Sequence, residues 1–327
     1  MKAPRLHPGD TIGIVATSFP FSTDPTKDYY HGYEKGKAEL LKMGFKIKEG
    51  RNIRKVRWWT TGTPEEKADD INSMFADPEI KAIIVMDGGQ SAITVLEHID
   101  YELIKKHPKP FIGFSDITNF HLAFYTKTNL IGFHMGLLTY SLGWVWHYVV
   151  KDEKKLNRGR EFFKTVLTSN KKLGKIEPIT KWKYYKTGKA EGKLFGGNLS
   201  MMTTLVGTKY FPSLEKLKGN ILFWETDNIS SYRIERGLYI LRHAGILDVI
   251  SGMIIGKLPD IKRTSWEGFT EPTIKELVLE SLKGYHFPIL AEVDFGHKTV
   301  NTPMPIGINA KMDAEKLHLE FLESAVN

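Results

Sequence analysis

The chain contains no cysteine. A disulfide framework, a Cys-ligated zinc, an iron–sulfur cluster and a cysteine nucleophile are therefore excluded, and the absence fits a reducing compartment. Long apolar runs are missing too: no stretch approaches the roughly 20 residues of a membrane span. Residues 1–11 (MKAPRLHPGDT) carry two prolines and no apolar core of the kind a signal peptide needs. A soluble, cytoplasmic protein that does not touch membranes is expected. There are no internal repeats or low-complexity segments. Neither H-E-x-x-H nor a clustered His/Asp set points to a metal.

What is present is ordinary for a folded protein. The 327 residues include 46 basic and 38 acidic side chains, a net charge of +8, and 41% are apolar. Compositional disorder is excluded, and at roughly 100–200 residues per domain two domains are expected. The charge is uneven: residues 151–193 hold 14 Lys/Arg against 5 Asp/Glu, and the rest of the chain sums to −1. Trp182, Tyr184 and Tyr185 interleave with these charges, so a nucleic-acid surface is one reading. The preferred one is a solvated helix followed by a basic linker, with an attraction for small acidic substrates as its milder functional form.

Along residues 1–135 strand and helix patterns alternate. Apolar runs at 11–17 (TIGIVAT), 45–48, 81–86 (KAIIVM), 110–114 (PFIGF) and 130–134 read as strands. Helical spacing falls at 27–43, ending on Gly44, and at 91–99 and 117–126. Thr63-Pro64-Glu65-Glu66 is a capping box with proline in the first turn, starting a helix to about residue 75. One-run apolar strands alternating with helices predict a doubly wound, flavodoxin-like parallel sheet, in which ligands sit at the strands' carboxyl ends. Three loops lie there: after Thr17, at Asp87–Gln90, and at Ser115. Residues 152–168 read as a charged helix and 169–189 as a polar connector. A mixed α/β unit follows, with strands at 220–224, 248–257, 288–293 and 316–321, and helices at 199–206, 233–243 and 273–282. The predicted organisation is a nucleophile-bearing domain at 1–150, a basic helix and linker at 151–189, and a second domain at 190–327.

Ser115 stands where an apolar strand turns into a helix. Its hydroxyl is exposed there, and the next amide lies at a helix N-terminus that can hold an oxyanion. The same Ser-Asp pair is also an ordinary N-cap, and Gly113-Phe114-Ser115-Asp116-Ile117 lacks the second glycine of G-x-S-x-G. Gly88-Gly89 allows close backbone approach to an anion, although neither a P-loop nor a dinucleotide fingerprint is present. A serine nucleophile needs a base and an orienting acid. His297 follows a strand in a glycine-flanked turn, with His134 as second choice, and Glu225 ends the strand at 220–224.

Together these residues resemble the LD-carboxypeptidase family of serine peptidases, which includes the microcin C self-immunity peptidases. The likeness rests on Pro8-Gly9-Asp10 with the strand after it, and on Gly88-Gly89 and Gly113-Phe114-Ser115-Asp116-Ile117-Thr118. It continues through Gly196-Gly197-Asn198-Leu199 and Phe223-Trp224-Glu225 to Asp294-Phe295-Gly296-His297 with Pro305-Ile306-Gly307. The resemblance implies a Ser115–His297–Glu225 triad and an oxyanion hole from the amides of Gly89 and Asp116. It implies substrate contacts from Gly88, Gln90, Ser91, Trp182 and Asn198, no metal or cofactor, and a homodimer. Where the murein-recycling members resemble Arg-Gly-Gly-Tyr-Gly, this chain reads Asp87-Gly88-Gly89-Gln90-Ser91, closer to the immunity branch. Trp182, Tyr184 and Tyr185 are its candidates for stacking on a nucleotide base. The expected activity is a carboxypeptidase-like amidase acting on a small peptide or peptide-nucleotide. The alternatives are removal of D-Ala from a murein tetrapeptide and a non-catalytic nucleotide- or anion-binding protein.

Overall fold

The computed structural model describes residues 1–21, 28–227, 229–259, 261 and 270–327. In chain order its strands are β1 (Thr11–Val15), β2 (Lys46–Glu49), β3 (Ile80–Val85), β4 (Phe111–Gly113), β5 (Gly132–His134), β6 (Gly174–Lys175) and β7 (Lys183–Lys186). They continue with β8 (Lys189–Asn198), β9 (Ile221–Glu225), β10 (Gly252–Gly256), β11 (Ile289–Val293), β12 (Met304–Ile306), β13 (Asn309–Asp313) and β14 (His318–Phe321). They form two sheets, in the orders β12-β5-β4-β3-β1-β2 and β6-β14-β13-β8-β9-β10-β11-β7.

In the first sheet β5 to β2 are all parallel. Their order is that of the flavodoxin-like doubly wound fold, whose chain direction reverses between β1 and β3 and opens a crevice at their carboxyl ends. The central strands β1, β3 and β4 are short, largely apolar runs because both faces of the sheet are covered, whereas the edge strand β2 (KIKE) alternates. The helix Pro64–Ala76 starts as predicted: Thr63 caps Glu66 and Glu66 returns the bond, with Pro64 in the first turn. The helix Asp28–Lys42 stops just short of Gly44. The predicted start of that helix, Lys27, lies outside the described residues. The segment 91–99 winds as the tighter 3₁₀ helix Ala92–His98.

In the second sheet β8 to β11 are parallel and the flanking strands antiparallel. The sheet contains two strands outside the expected layout, β8 and β13, and three further features depart from it. The connector at 169–189 contributes β6 and β7, and β7 pairs with β11 at the sheet edge. The run 248–257 divides into a helical turn, Ile246–Val249, and β10. And β12, from the C-terminal part of the chain, crosses back and pairs antiparallel with β5, Met304 opposite His134. Pro305 is tolerated there because β12 is an edge strand. The chain ends are also joined, Asn327 N–H donating to Ala3 O at 3.1 Å.

Residues 138–149 form a wide helix with i→i+5 bonds, such as Leu142 N–H to Leu137 O at 3.1 Å and Val150 N–H to Val145 O at 2.9 Å. Such helices are rare and concentrate at functional sites. This one packs against the helix Asp28–Lys42 and brings Tyr140 to the interface of the two sheets. Among the described residues, no helix is long and apolar enough to cross a membrane.

Candidate active site

The site lies where the carboxyl ends of β1, β3 and β4 meet those of β8, β9 and β11. β4 ends at Gly113, and Ser115 follows with φ of +63°. A serine gains nothing from that left-handed conformation, which costs on the order of 1–3 kcal/mol and persists only when its surroundings enforce it. The 3₁₀ turn Ser115–Ile117 then leads into the helix Thr118–Thr128, and Ile117 N–H donates to Phe114 O at 3.3 Å. The amides of Gly89 and Asp116 donate to no group among the described residues.

The glycine pair follows β3. A Cβ on Gly88 would lie 3.2 Å from the Ser115 Cβ and 3.3 Å from its Oγ. Gly89 has φ of +144°, and a Cβ there would fall 2.6 Å from Ser18 Cβ. The Gly88 backbone thus lies close against the Ser115 side chain, and at Gly89 both the positive φ and the 2.6 Å approach require glycine.

The other half comes from the second sheet. Glu225 ends β9, opposite Asn198 at the end of β8. The carboxylate is fully buried, accepting from His297 Nδ1 at 2.7 Å and from Asn198 Nδ2 at 3.0 Å. Burial alone would raise the Glu225 carboxyl, but the His297 charge and hydrogen bond hold it below its ordinary value. For His297 burial works downward, and Glu225, Asp227 and Asp87 together raise it above the ordinary imidazole range. The two shifts describe one ion pair, with the imidazolium favoured. The His297 ring packs on Phe114, the residue before Ser115, with centroids 4.7 Å apart, and on Tyr140 at 5.7 Å. A histidine held by a carboxylate on Nδ1 leaves Nε2 as its working nitrogen.

Asp87 adds a further carboxyl. It is buried, and its Oδ1 accepts from the Gly88 N–H at 2.8 Å. Burial pushes it up to about 8, against the pull of Gly88 and His297. His134, the second choice for the base, is buried among Phe114, Phe223 and Phe295, and burial lowers it to about 3. At that value it is a neutral packing residue.

The predicted substrate contacts divide. Gly88 is buried against Ser115, and Gln90 is exposed. The Ser91 hydroxyl instead turns inward, to Thr60 Oγ1 at 2.7 Å and Lys67 Nζ at 3.1 Å. Asn198 spends its amide on Glu225 and on the Met201 N–H, and its own N–H donates to Thr118 Oγ1 at 2.9 Å. Trp182 requires a correction. It is 1% exposed, and its indole N–H donates to Asp294 Oδ2 at 2.7 Å. Asp294 also accepts from the amides of Ile179 and Thr180 and from the Thr180 hydroxyl. The indole therefore anchors the connector and has no face left for a base. Alternation along β7 turns Tyr184 to solvent and Tyr185 into a cleft of about 390 Å³ beside His297, lined also by Thr180, Lys257, Ile274 and Glu292. A larger depression of about 1090 Å³ lies at Tyr232, and the three candidate catalytic residues are not among its lining residues.

Sequence reading missed the side chain of Asp116, the buried Lys67 and the contribution of Tyr140. Lys67 left a signal: with Ile71 and Met74 it forms an i, i+4, i+7 stripe that places a lysine on the buried face of its helix.

Residues 12–135 match the LD-carboxypeptidase N-terminal domain and residues 191–312 the LD-carboxypeptidase C-terminal domain. The chain is 30% identical over 322 residues to a probable murein peptide carboxypeptidase of Bacillus subtilis, spanning 96% of this chain and 92% of that one. It is 28% identical over 357 residues to the microcin C7 self-immunity protein MccF of Escherichia coli, spanning 99% and 96%. The solved structure of MccF in complex with aspartyl sulfamoyl adenosine is similar over 100% of both chains, with a TM-score of 0.87 and 26% identity.

Proposed function

The chain belongs to the LD-carboxypeptidase family of serine peptidases, and from that premise we propose that Ser115, His297 and Glu225 hydrolyse an amide near the C-terminus of a small peptide or peptide-nucleotide. The observation that carries this reading is the buried Glu225–His297 pair, 2.7 Å long, packed against the residue that precedes a serine at φ +63°. His297 Nε2 takes the Ser115 proton as Oγ attacks the carbonyl carbon. The amides of Gly89 and Asp116 receive the oxyanion. The imidazolium then protonates the leaving amine, and the acyl-enzyme is released by water through the same steps in reverse. Glu225 keeps the imidazole in the correct tautomer and stabilises its charged form.

A peptide-nucleotide substrate is supported by the likeness to MccF, solved with an aminoacyl sulfamoyl nucleoside, and by Asp87 at the position where the murein-recycling branch resembles arginine. A second reading, release of D-Ala from a murein tetrapeptide, is favoured by the 30% identity to the Bacillus protein. Mass spectrometry of one mixture holding a murein tetrapeptide and an amide-linked aspartyl-adenylate analogue distinguishes them, with Ser115→Ala as control. Release of aspartate and the amino-nucleotide is expected. Loss of D-Ala alone establishes the second reading, and cleavage of either substrate by Ser115→Ala refutes the nucleophile assignment.

A further inference from the structure

Beneath the glycine loop lies a buried polar network that the hydrolytic steps do not use. Its one cation is Lys67, 1% exposed, on the helix Pro64–Ala76. Lys67 Nζ donates to Thr60 Oγ1 and to Ser91 Oγ, both at 3.1 Å. The Ser91 hydroxyl also reaches Thr17 O at 3.2 Å and Ser18 Oγ at 3.2 Å. Asp116 closes the network: its Oδ2 accepts from the amides of Ser91 at 3.0 Å and Ala92 at 2.9 Å, and from the Ser18 hydroxyl. The members come from the loops after β1, β2, β3 and β4. Two of them adjoin the working parts, since Asp116 follows Ser115 and Ser91 stands two residues after Gly89.

A lysine is not kept inside a protein without a partner for its charge. The carboxylate whose charge favours it is Asp116. We infer that Lys67 is a positioning residue for hydrolysis, its buried ammonium locking the loop of Gly89 and, through Ser91 and Asp116, the turn that holds Ser115. This inference rests on Ser115 being the nucleophile. It gives the ammonium a task that no neutral side chain performs: an ammonium can only donate, so it fixes the direction of the hydroxyl bonds at Thr60 and Ser91. Deprotonation removes that order. Burial brings Lys67 down to about 8, within reach of ordinary assay conditions. The charged groups facing it are Asp116 from the turn after β4 and Arg57 from the loop after β2. On its own helix Glu66 is engaged by Lys55 and Asp70 by Asn52, and His98 stands outside against Glu65.

The test is the rate at which a fluorophosphonate modifies Ser115 between pH 6 and 10, read by intact mass, for the wild type, Lys67→Arg, Lys67→Met and Asp87→Asn. The wild-type rate is expected to fall above about pH 8. Lys67→Arg, which stays charged, should keep at least a fifth of the plateau rate and lose the alkaline fall. Lys67→Met should melt cooperatively yet react at least 30-fold more slowly at every pH. Asp87→Asn should keep the fall, which separates Lys67 from the Asp87 carboxyl beside Gly88, also pushed to about 8. An alkaline limb shared by wild type and Lys67→Arg, or Lys67→Met reacting at the wild-type rate, overturns the inference. If Lys67→Met does not fold, the limb of Lys67→Arg decides alone. Failure of the wild type to be labelled at Ser115 overturns the nucleophile assignment, and this inference with it.

Discussion

Ser115 reaches the site through backbone conformation, whereas Glu225 and His297 reach it through a buried ion pair between strand ends. On the first sheet the elements are a left-handed serine, a glycine pair that admits no Cβ, and a polar network under the loop. On the second they are three side chains in series, Asn198, Glu225 and His297, bonded at 3.0 and 2.7 Å. In the proposed mechanism the first arrangement supplies the oxyanion amides and the second tunes the proton acceptor. A doubly wound sheet supplies exposed loop amides at its switch point, and the parallel core of a mixed sheet supplies adjacent strand ends that present side chains in register. Damage to the two halves should therefore leave different signatures.

The largest effect is expected where the halves meet. Ser115→Ala should lower kcat by at least about 1000-fold with KM nearly unchanged, because it removes bond formation and leaves binding intact. Glu225→Gln comes next, about 100-fold or more in kcat, and it carries a second signature. His297 is raised chiefly by Glu225 against burial. A base must be neutral to accept a proton, so the wild-type rate should rise with pH through that elevated value. Without the carboxylate charge the acid limb of kcat/KM must move to lower pH. An unmoved limb would mean that the pair does not govern the proton transfer. Gly89→Ala probes the other half. Its Cβ would meet Ser18 Cβ at 2.6 Å in a conformation that alanine avoids. A loss of about 10–100-fold in kcat is expected, with the acid limb in place and a stability cost of about 1–3 kcal/mol by thermal melting. If Gly89→Ala moved the limb, the two halves would not be separable.

Much of the first sheet was legible because its signals are local. Short apolar runs marked β1, β3 and β4, the Thr63–Glu66 box marked the helix start, and Ser115 and Glu225 were read at strand ends from the runs before them. The rest depends on partners distant in sequence. β12 is three residues that include Pro305, and they form a strand only because β5 offers an open edge. The wide helix at 138–149 has neither the 3.6 nor the 2 period that pattern reading detects. Asp116 was read for its backbone amide, and its carboxyl acquires a role only when the loops carrying Ser18 and Ser91 arrive. Asp294 was likewise noted only as part of a turn before His297. Four donors, the Trp182 indole among them, converge on it, and no local pattern announces such a cradle.

The smallest effects separate two of the three aromatic residues of the connector, Trp182 and Tyr185, and they test whether burial or position in sequence decides which one meets substrate. Trp182→Phe removes an indole N–H from a buried carboxylate, which costs about 1–3 kcal/mol when the partner is left short of a donor. It should lower the melting temperature and leave KM within about twofold. Tyr185→Ala removes a half-buried ring from the wall of the cleft that contains His297. It should leave the melting temperature within a few degrees and raise KM several-fold, with kcat little changed, because a wall residue supports binding equally in the ground and transition states. The reverse pattern, KM rising for Trp182→Phe and not for Tyr185→Ala, would require the connector to peel away from Asp294 during turnover. In that case the four bonds to that carboxylate would be a latch rather than an anchor, and proteolysis at residues 176–182 would accelerate in the presence of substrate.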